Sequence, residues 1–141
     1  MSKHILLVDD DEDDLMIFQE ALSGAEEDAL FTGINNGEEA VKLLTADNAH
    51  VPDYIFLDLN MPRLNGKQCL EKIRKIPSMR TVPVIIYSTS TLENDREETK
   101  ALGANYFLVK PNHFTELQHA LKAILAGDFS SDIILTDRQT Q

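Results

Sequence analysis

The chain has 141 residues, room for one domain of average size, and its 43% hydrophobic and 26% charged content is ordinary for a globular protein. Thirteen Lys and Arg against 24 Asp and Glu give a formal net charge of −11, which argues against a nucleic-acid-binding surface, because that needs clustered positive charge. One cysteine, Cys69, excludes an internal disulfide, a cysteine redox pair and a cysteine zinc site, and no apolar run reaches the ~20 residues that span a bilayer.

Met1-Ser2-Lys3-His4 runs directly into a short apolar stretch followed by acids, so no signal peptide is expected and a cytoplasmic single domain is. His4–Val8 is apolar after its first residue, as in a strand buried on both faces. Leu15, Phe18, Ala21 and Leu22 then fall at helical spacing, predicting an amphipathic helix that ends near Gly24. Leu30–Ile34 reads as a second strand, and Ala40, Val41 and Leu44 mark one face of a helix opening at Gly37. Tyr54–Leu57 is the third strand, introduced by Pro52. Gly66 opens a helix whose apolar face is Cys69, Leu70, Ile73 and Ile76. The β-branched run Val82–Tyr87 predicts a fourth strand. A polar helix over Glu93–Leu102 stops at Gly103, Tyr106–Val109 is the fifth strand, and Phe114, Leu117, Leu121 and Ile124 mark a last helix. Pro52, Pro62, Pro77, Pro83 and Pro111 all fall between elements or at a strand start, where a missing N–H is tolerated. Five strand–helix repeats imply right-handed crossovers and a parallel sheet covered on both faces, an α/β doubly wound (βα)5 domain. Residues 127–141 are polar apart from Ile133-Ile134-Leu135. They read as a fraying C-terminal tail, the alternative being that the apolar triplet docks on this domain, a second copy or a partner.

Ligands of open α/β sheets bind at the carboxyl ends of the strands, so the residues standing there are the candidates. Strand one ends in Asp9-Asp10, strand three in Asp58, strand four in Ser88-Thr89 and strand five in Lys110-Pro111. Three carboxylates crowded together repel one another unless something positive neutralises them, and a hard divalent cation such as Mg²⁺ does so through oxygen ligands. Asp11, Glu12, Asp13 and Asp14 continue the acidic run and are accounted for by the dipole at a helix N-terminus. Asp58 alone could be an N-cap of the following loop; with the other groups in its corner it fits a nucleophile towards phosphorus. Phosphoryl transfer asks mainly for positioning and charge neutralisation, which a cation, an ammonium and a hydroxyl supply. Ser90 or Thr91 is expected to cap the next helix, leaving Ser88 at the strand end. His4, His50, His113 and His119 lack metal-cluster spacing, and no nucleotide-binding glycine motif or hydrolase elbow occurs.

The set Leu7-Val8-Asp9-Asp10, Leu57-Asp58-Leu59-Asn60-Met61-Pro62 with Gly66, Pro83-Val84-Ile85-Ile86-Tyr87-Ser88 and Lys110-Pro111 resembles the receiver domain of bacterial two-component response regulators over roughly residues 3–126. The resemblance implies a flavodoxin-like five-stranded parallel sheet of order 2-1-3-4-5, with residues 1–126 as receiver and 127–141 as tail. It further implies that Asp58 is the phosphoacceptor and that Mg²⁺ is held by Asp9, Asp10, Asp58 and the Asn60 backbone carbonyl. Ser88 matches the switch hydroxyl, Lys110 the phosphate-binding lysine and Phe107 the switch aromatic, without the tyrosine hydroxyl common there. Thr89, where many receivers carry a smaller residue, narrows access to the phosphoryl group. A cis Lys110–Pro111 bond and an inward turn of Phe107 on phosphorylation belong to the same expectation. Val51-Pro52-Asp53 and Thr81-Val82-Pro83 are also similar to stand-alone receivers paired with phytochrome-type kinases.

The function implied is that of a stand-alone response regulator rather than an enzyme. Its partners would be a sensor histidine kinase or histidine phosphotransfer domain and a downstream protein, with neither nucleic acid nor membrane, and a homodimer as a further option. Fifteen residues beyond 126 are too few for an output domain. An aspartyl phosphatase of the haloacid-dehalogenase kind competes poorly, because Asn60 stands where its second acid would be. A receiver-like interaction domain independent of phosphorylation is the other alternative.

Overall fold

The computed structural model describes residues 2–130 and 134–135. Its elements are β1 (His4–Val8), α1 (Glu12–Ala25), β2 (Leu30–Ile34), α2 (Gly37–Thr45), β3 (Tyr54–Leu57), α3 (Gly66–Arg74), β4 (Val84–Ser88), α4 (Glu93–Ala101), β5 (Tyr106–Val109), α5 (Phe114–Leu125) and β6 (Ile134–Leu135), with a short 3-10 turn at Pro77–Met79. The strand order is β2-β1-β3-β4-β5-β6, and the first five run parallel. The flavodoxin-like order 2-1-3-4-5 is therefore present, extended by one antiparallel strand at the β5 edge.

Alternation along the strands divides the core in two. Leu6, Val8, Ile55, Leu57, Val84, Ile86 and Phe107 point to one face, where Ala40 and Leu44 of α2 and Cys69, Leu70 and Ile73 of α3 cover them. Ile5, Leu7, Phe56, Ile85, Tyr87 and Leu108 point to the other, under Phe18, Ala21 and Leu22 of α1 and Leu117, Leu121 and Ile124 of α5. Phe18 is the centre of that second layer, with its ring edge-on to Phe56 at 4.9 Å and to Tyr87 at 5.4 Å.

Helix starts are chemically defined. Asp11 accepts from the backbone N–H groups of Asp13 and Asp14, Asn36 accepts from that of Glu39, and Asn65 with Gln68 closes a reciprocal capping box. For α4 the expectation of a Ser90 or Thr91 cap does not hold. Leu92 is the N-cap and offers no side-chain acceptor, whereas Ser90 lies two residues earlier, accepting from Leu92 N–H and donating to Asp95. Lys67 reaches Asp95 and Glu98 at 2.7 Å, so α4 is tied to α3 through ion pairs on a helix that buries little but Thr99.

Two elements differ clearly in extent from the sequence expectation, and a proline sets one end of each. The third helix stops at Arg74 rather than near Ile76, since the residue before Pro77 is driven out of helical geometry. The fourth strand spans Val84–Ser88 rather than Val82–Tyr87: Pro83 has no N–H to give the ladder, although its carbonyl accepts from Ile55. No described peptide bond is cis, so the expected cis Lys110–Pro111 bond is trans, the isomer an X–Pro bond favours by about 0.5–1 kcal/mol.

The reading of 127–141 as a fraying tail is also corrected over part of its length. Phe129 stacks on Tyr106 at 3.9 Å between centroids, and Ile134 is fully buried in the α1/α5 layer. Leu135 and Ile134 pair with Phe107 and Leu108, giving the exposed edge of β5 a hydrogen-bonding partner. Residue Ile133 of the apolar triplet lies outside the described residues.

Arg74 joins the two connections beneath β4. Its guanidinium donates to the carbonyls of Gly103, Met79 and Val82 and to Asn105 Oδ1, which in turn accepts from Val84 N–H at the strand's first residue. Gly103, at φ +110°, lies so close that a Cβ there would sit 3.0 Å from the Arg74 side chain. Arg74→Met keeps most of the apolar stem and removes these charge-assisted bonds. It should cost about 2–4 kcal/mol in urea unfolding, and a loss below ~0.5 kcal/mol would show that the loops are held otherwise.

Candidate functional site

The register of the parallel ladders decides where the polar residues meet. Val8 pairs with Leu57, and Asp58 N–H donates to the Val8 carbonyl at 2.9 Å, which sets Asp9 and Asp58 side by side at one end of the sheet. Ser88 pairs with Val109, and Lys110 N–H donates to the Ser88 carbonyl at 2.8 Å. The β3–α3 loop carrying Asp58, Leu59 and Asn60 is clasped by Gly66. Its N–H donates to the Leu59 carbonyl, and a Cβ at Gly66 would lie 2.2 Å from the Asp58 carbonyl oxygen.

Lys110 Nζ is 2.8 Å from Asp9 Oδ2, 2.8 Å from Asp14 Oδ2 and 3.7 Å from Asp58 Oδ1. It also lies 5.1 Å from the centre of the Tyr87 ring. Asp9 is fully buried, and its second oxygen accepts from Asp11 N–H. Asp58 is 6% exposed, whereas Asp10 is open to solvent. One oxygen from each of Asp9, Asp10 and Asp58 lies within 4.8 Å of the other two. An all-carboxylate set of this kind suits a hard divalent cation. Ser88 is fully buried, and its Oγ accepts from Ser90 N–H at 3.1 Å.

The electrostatics follow from burial and crowding. Burial pushes the Asp58 carboxyl up to about 6, the Asp9 charge adds to the rise, and Lys110 offsets it only in part. Burial also raises Asp9, against the hydrogen bond from Lys110. Burial would lower Lys110, but the hydrogen bonds to Asp14 and Asp9 outweigh it and keep the ammonium protonated. The corner thus holds one fixed cation among several acids, so its negative charge is only partly neutralised.

The response regulator receiver domain family matches residues 5–122. This chain belongs to that family. It is 30% identical over 126 residues to response regulator Rcp1 of Synechocystis, with 86% of each chain covered. The structure of the phosphorylated cyanobacterial phytochrome response regulator RcpA superposes with a TM-score of 0.81 at 30% identity, covering 96% of this chain and all of that one. A structure of Rcp1 with Mn²⁺ bound gives 0.77 at 30% identity over 88% and 92% of the two chains. The receiver domain of the Pseudomonas aeruginosa sensor histidine kinase PA1611, with magnesium in its active-site cleft, gives 0.74 at 28% over 89% and 99%. Receivers are signalling modules that bind a divalent metal in an acidic pocket and interact with histidine kinases or phosphotransfer partners. No helix among the described residues is long and apolar enough to cross a membrane.

Within this receiver the structure brings Asp9, Asp10, Asp58 and Lys110 together as the sequence suggested, with Ser88 at the end of the neighbouring strand. Asn60 and Thr89 are exposed on the loops flanking them. Phe107 differs from expectation: it is 4% exposed and already packed in the α2/α3 layer, so no inward turn is needed to bury its ring. Asp14 is the residue that sequence reasoning missed. Assigned to the helix dipole, it instead grips Lys110 from the first turn of α1. Its signal was its position three residues beyond the cap Asp11, on the side of the turn that faces the strand ends.

Asp58 gives a pH test. Its carboxyl is raised in the fold, so its contribution to stability is present at low pH and lost as pH rises through about 6. In chelator at pH 8, Asp58→Asn should therefore be more stable than the wild type by roughly 1–3 kcal/mol, a gain that vanishes near pH 4. Thermal unfolding across that range measures it; a pH-independent difference would contradict the burial argument.

Proposed function

We propose that this receiver accepts a phosphoryl group from the phosphohistidine of a sensor histidine kinase or histidine phosphotransfer domain onto Asp58. One observation carries the reading: a nearly buried carboxylate stands 3.7 Å from a fixed ammonium and shares a cation-sized corner with two further acids. Asp9, Asp10, Asp58 and the Asn60 backbone carbonyl would hold Mg²⁺, which when bound supplies charge neutralisation for the anionic phosphoryl oxygens.

The protein's own groups do the rest. An Asp58 carboxylate oxygen forms the bond to phosphorus while the P–N bond to the donor imidazole breaks, its electron pair staying on the ring nitrogen. Lys110 holds one phosphoryl oxygen by a charge-assisted hydrogen bond. Ser88 donates its hydroxyl proton to another; that oxygen now only accepts, from Ser90 N–H. Thr89, exposed beside them, limits the width of the approach. The phosphorylated state is passed on by a stand-alone regulator in the cytoplasm. It acts either through a partner or second copy bound at the face of α4, β5 and α5 or by onward transfer to another histidine. Because Phe107 is already inside, Ser88 and the loop behind it carry the change to that face.

Incubation with acetyl phosphate and Mg²⁺ should add one phosphoryl mass to the intact wild-type chain and none to Asp58→Asn. Excess chelator should abolish the gain. Labelling of Asp58→Asn, or equal labelling in chelator, would refute the assignment.

A further inference from the structure

Lys110 has three N–H donors, and two of them are taken at 2.8 Å by carboxylates on different elements. Asp9 closes β1 and is fully buried, so its bond to Lys110 is anchored in the core. Asp14 stands on α1 with its side chain about one-third exposed, and no other hydrogen bond of its carboxylate is present among the described residues. Asp58 lies at 3.7 Å, outside hydrogen-bond range of the same ammonium. Asp14 also lies outside the group of three carboxylates that could share a cation. It therefore competes for the lysine without contributing a ligand.

Resting on the phosphoacceptor reading above, we propose that Asp14 is a positioning residue that draws Lys110 away from Asp58 and so weakens the receiver's hold on the phosphoryl group. Two effects act in the same direction. The Asp14 carboxylate occupies a donor that would otherwise face a phosphoryl oxygen. Its negative charge, one lysine head group away from the nearly buried acceptor, also repels an incoming anion. Removing the charge leaves Lys110 anchored by Asp9 and weakens the competing bond to at most a neutral amide oxygen, so the ammonium stays in the site and turns more readily to a phosphoryl oxygen.

The probe is beryllofluoride, in which BeF₃⁻ takes an Asp58 carboxylate oxygen as its fourth ligand, titrated at saturating Mg²⁺ and read from the amide shifts of Ser88 and Lys110. Asp14→Asn, nearly isosteric, should bind it about fivefold more tightly or better than the wild type, the lower end of ordinary site-to-site coupling. Asp14→Glu restores the charge and should return affinity towards the wild type. Asp13→Asn makes the same change in net charge one residue away, at an exposed side chain that does not touch Lys110, and should leave affinity within twofold. Asp14→Ala serves if the Asn variant folds poorly, with thermal unfolding as the check. Equal or weaker binding by Asp14→Asn or Asp14→Ala overturns the proposal, as does a tightening matched by Asp13→Asn. Absence of binding by the wild type itself would overturn the phosphoacceptor reading, and this one with it.

Discussion

A parallel sheet sends all its strands' carboxyl ends to one side, and here three of those ends carry acids or the one lysine that opposes them. Asp9 is fully buried at the end of a central strand, where an unpaired carboxylate would cost several kcal/mol. Lys110 offsets part of that penalty, arriving from β5 on a ladder whose last bond is Lys110 N–H to the Ser88 carbonyl. The same ammonium is shared with Asp14 and falls short of Asp58, leaving the proposed acceptor under-neutralised. The backbone ladder is thus what makes the chemistry: it imposes proximity on charges that would separate if they were free.

Most of this arrangement was legible in the sequence because buried parallel strands announce themselves as short continuous apolar runs. His4–Val8, Tyr54–Leu57 and Tyr106–Val109 are strands with the bounds their composition suggests; Leu30–Ile34 is one too, although it is an edge strand interrupted by Thr32 and Gly33 with no residue fully buried. The residue just past each run then had to stand at the ligand-binding edge, which located Asp9, Asp58 and Lys110 without any view of contacts. What the one-dimensional pattern hid were partners separated far along the chain. Asp14 and Lys110 are 96 residues apart, and an acid in a first helical turn has a sufficient local explanation. Arg74 was similarly invisible: a basic residue in a last helical turn looks like a solvated charge, yet it bonds carbonyls of the loop that follows its helix and of Gly103 far along the chain. The sequence supports strand β6 only as the alternative, docking of the apolar triplet on this domain, because so short an apolar stretch in a polar tail carries no period and only the open edge of β5 gives it a place.

The packing also divides what is rigid from what can respond. Phe107 is enclosed on the α2/α3 face, and its strand is flanked on both sides, so β5 has little freedom. By contrast α4 buries almost nothing and is positioned by polar ties, from Lys67 on α3 to Asp95 and Glu98 and from Ser90 to Asp95. Ser90 N–H is at the same time the group bonded to Ser88 Oγ. A hydroxyl recruited elsewhere would release that N–H, and the first thing it disturbs is a helix start with no cap of its own.

Strand β6 has a consequence for the order in which the protein is made. Synthesis runs from the N-terminus, and domains begin to organise as the chain emerges. Strands β1 to β5 and the helices between them are complete by residue 125, ten positions before Leu135. Until Ile134–Leu135 docks, the outer edge of β5 presents free N–H and C=O groups, and the place that Ile134 fills in the α1/α5 layer stands open. That open edge is where an incompletely folded receiver would stick to another chain. Ile134–Leu135 ends that exposure when it docks.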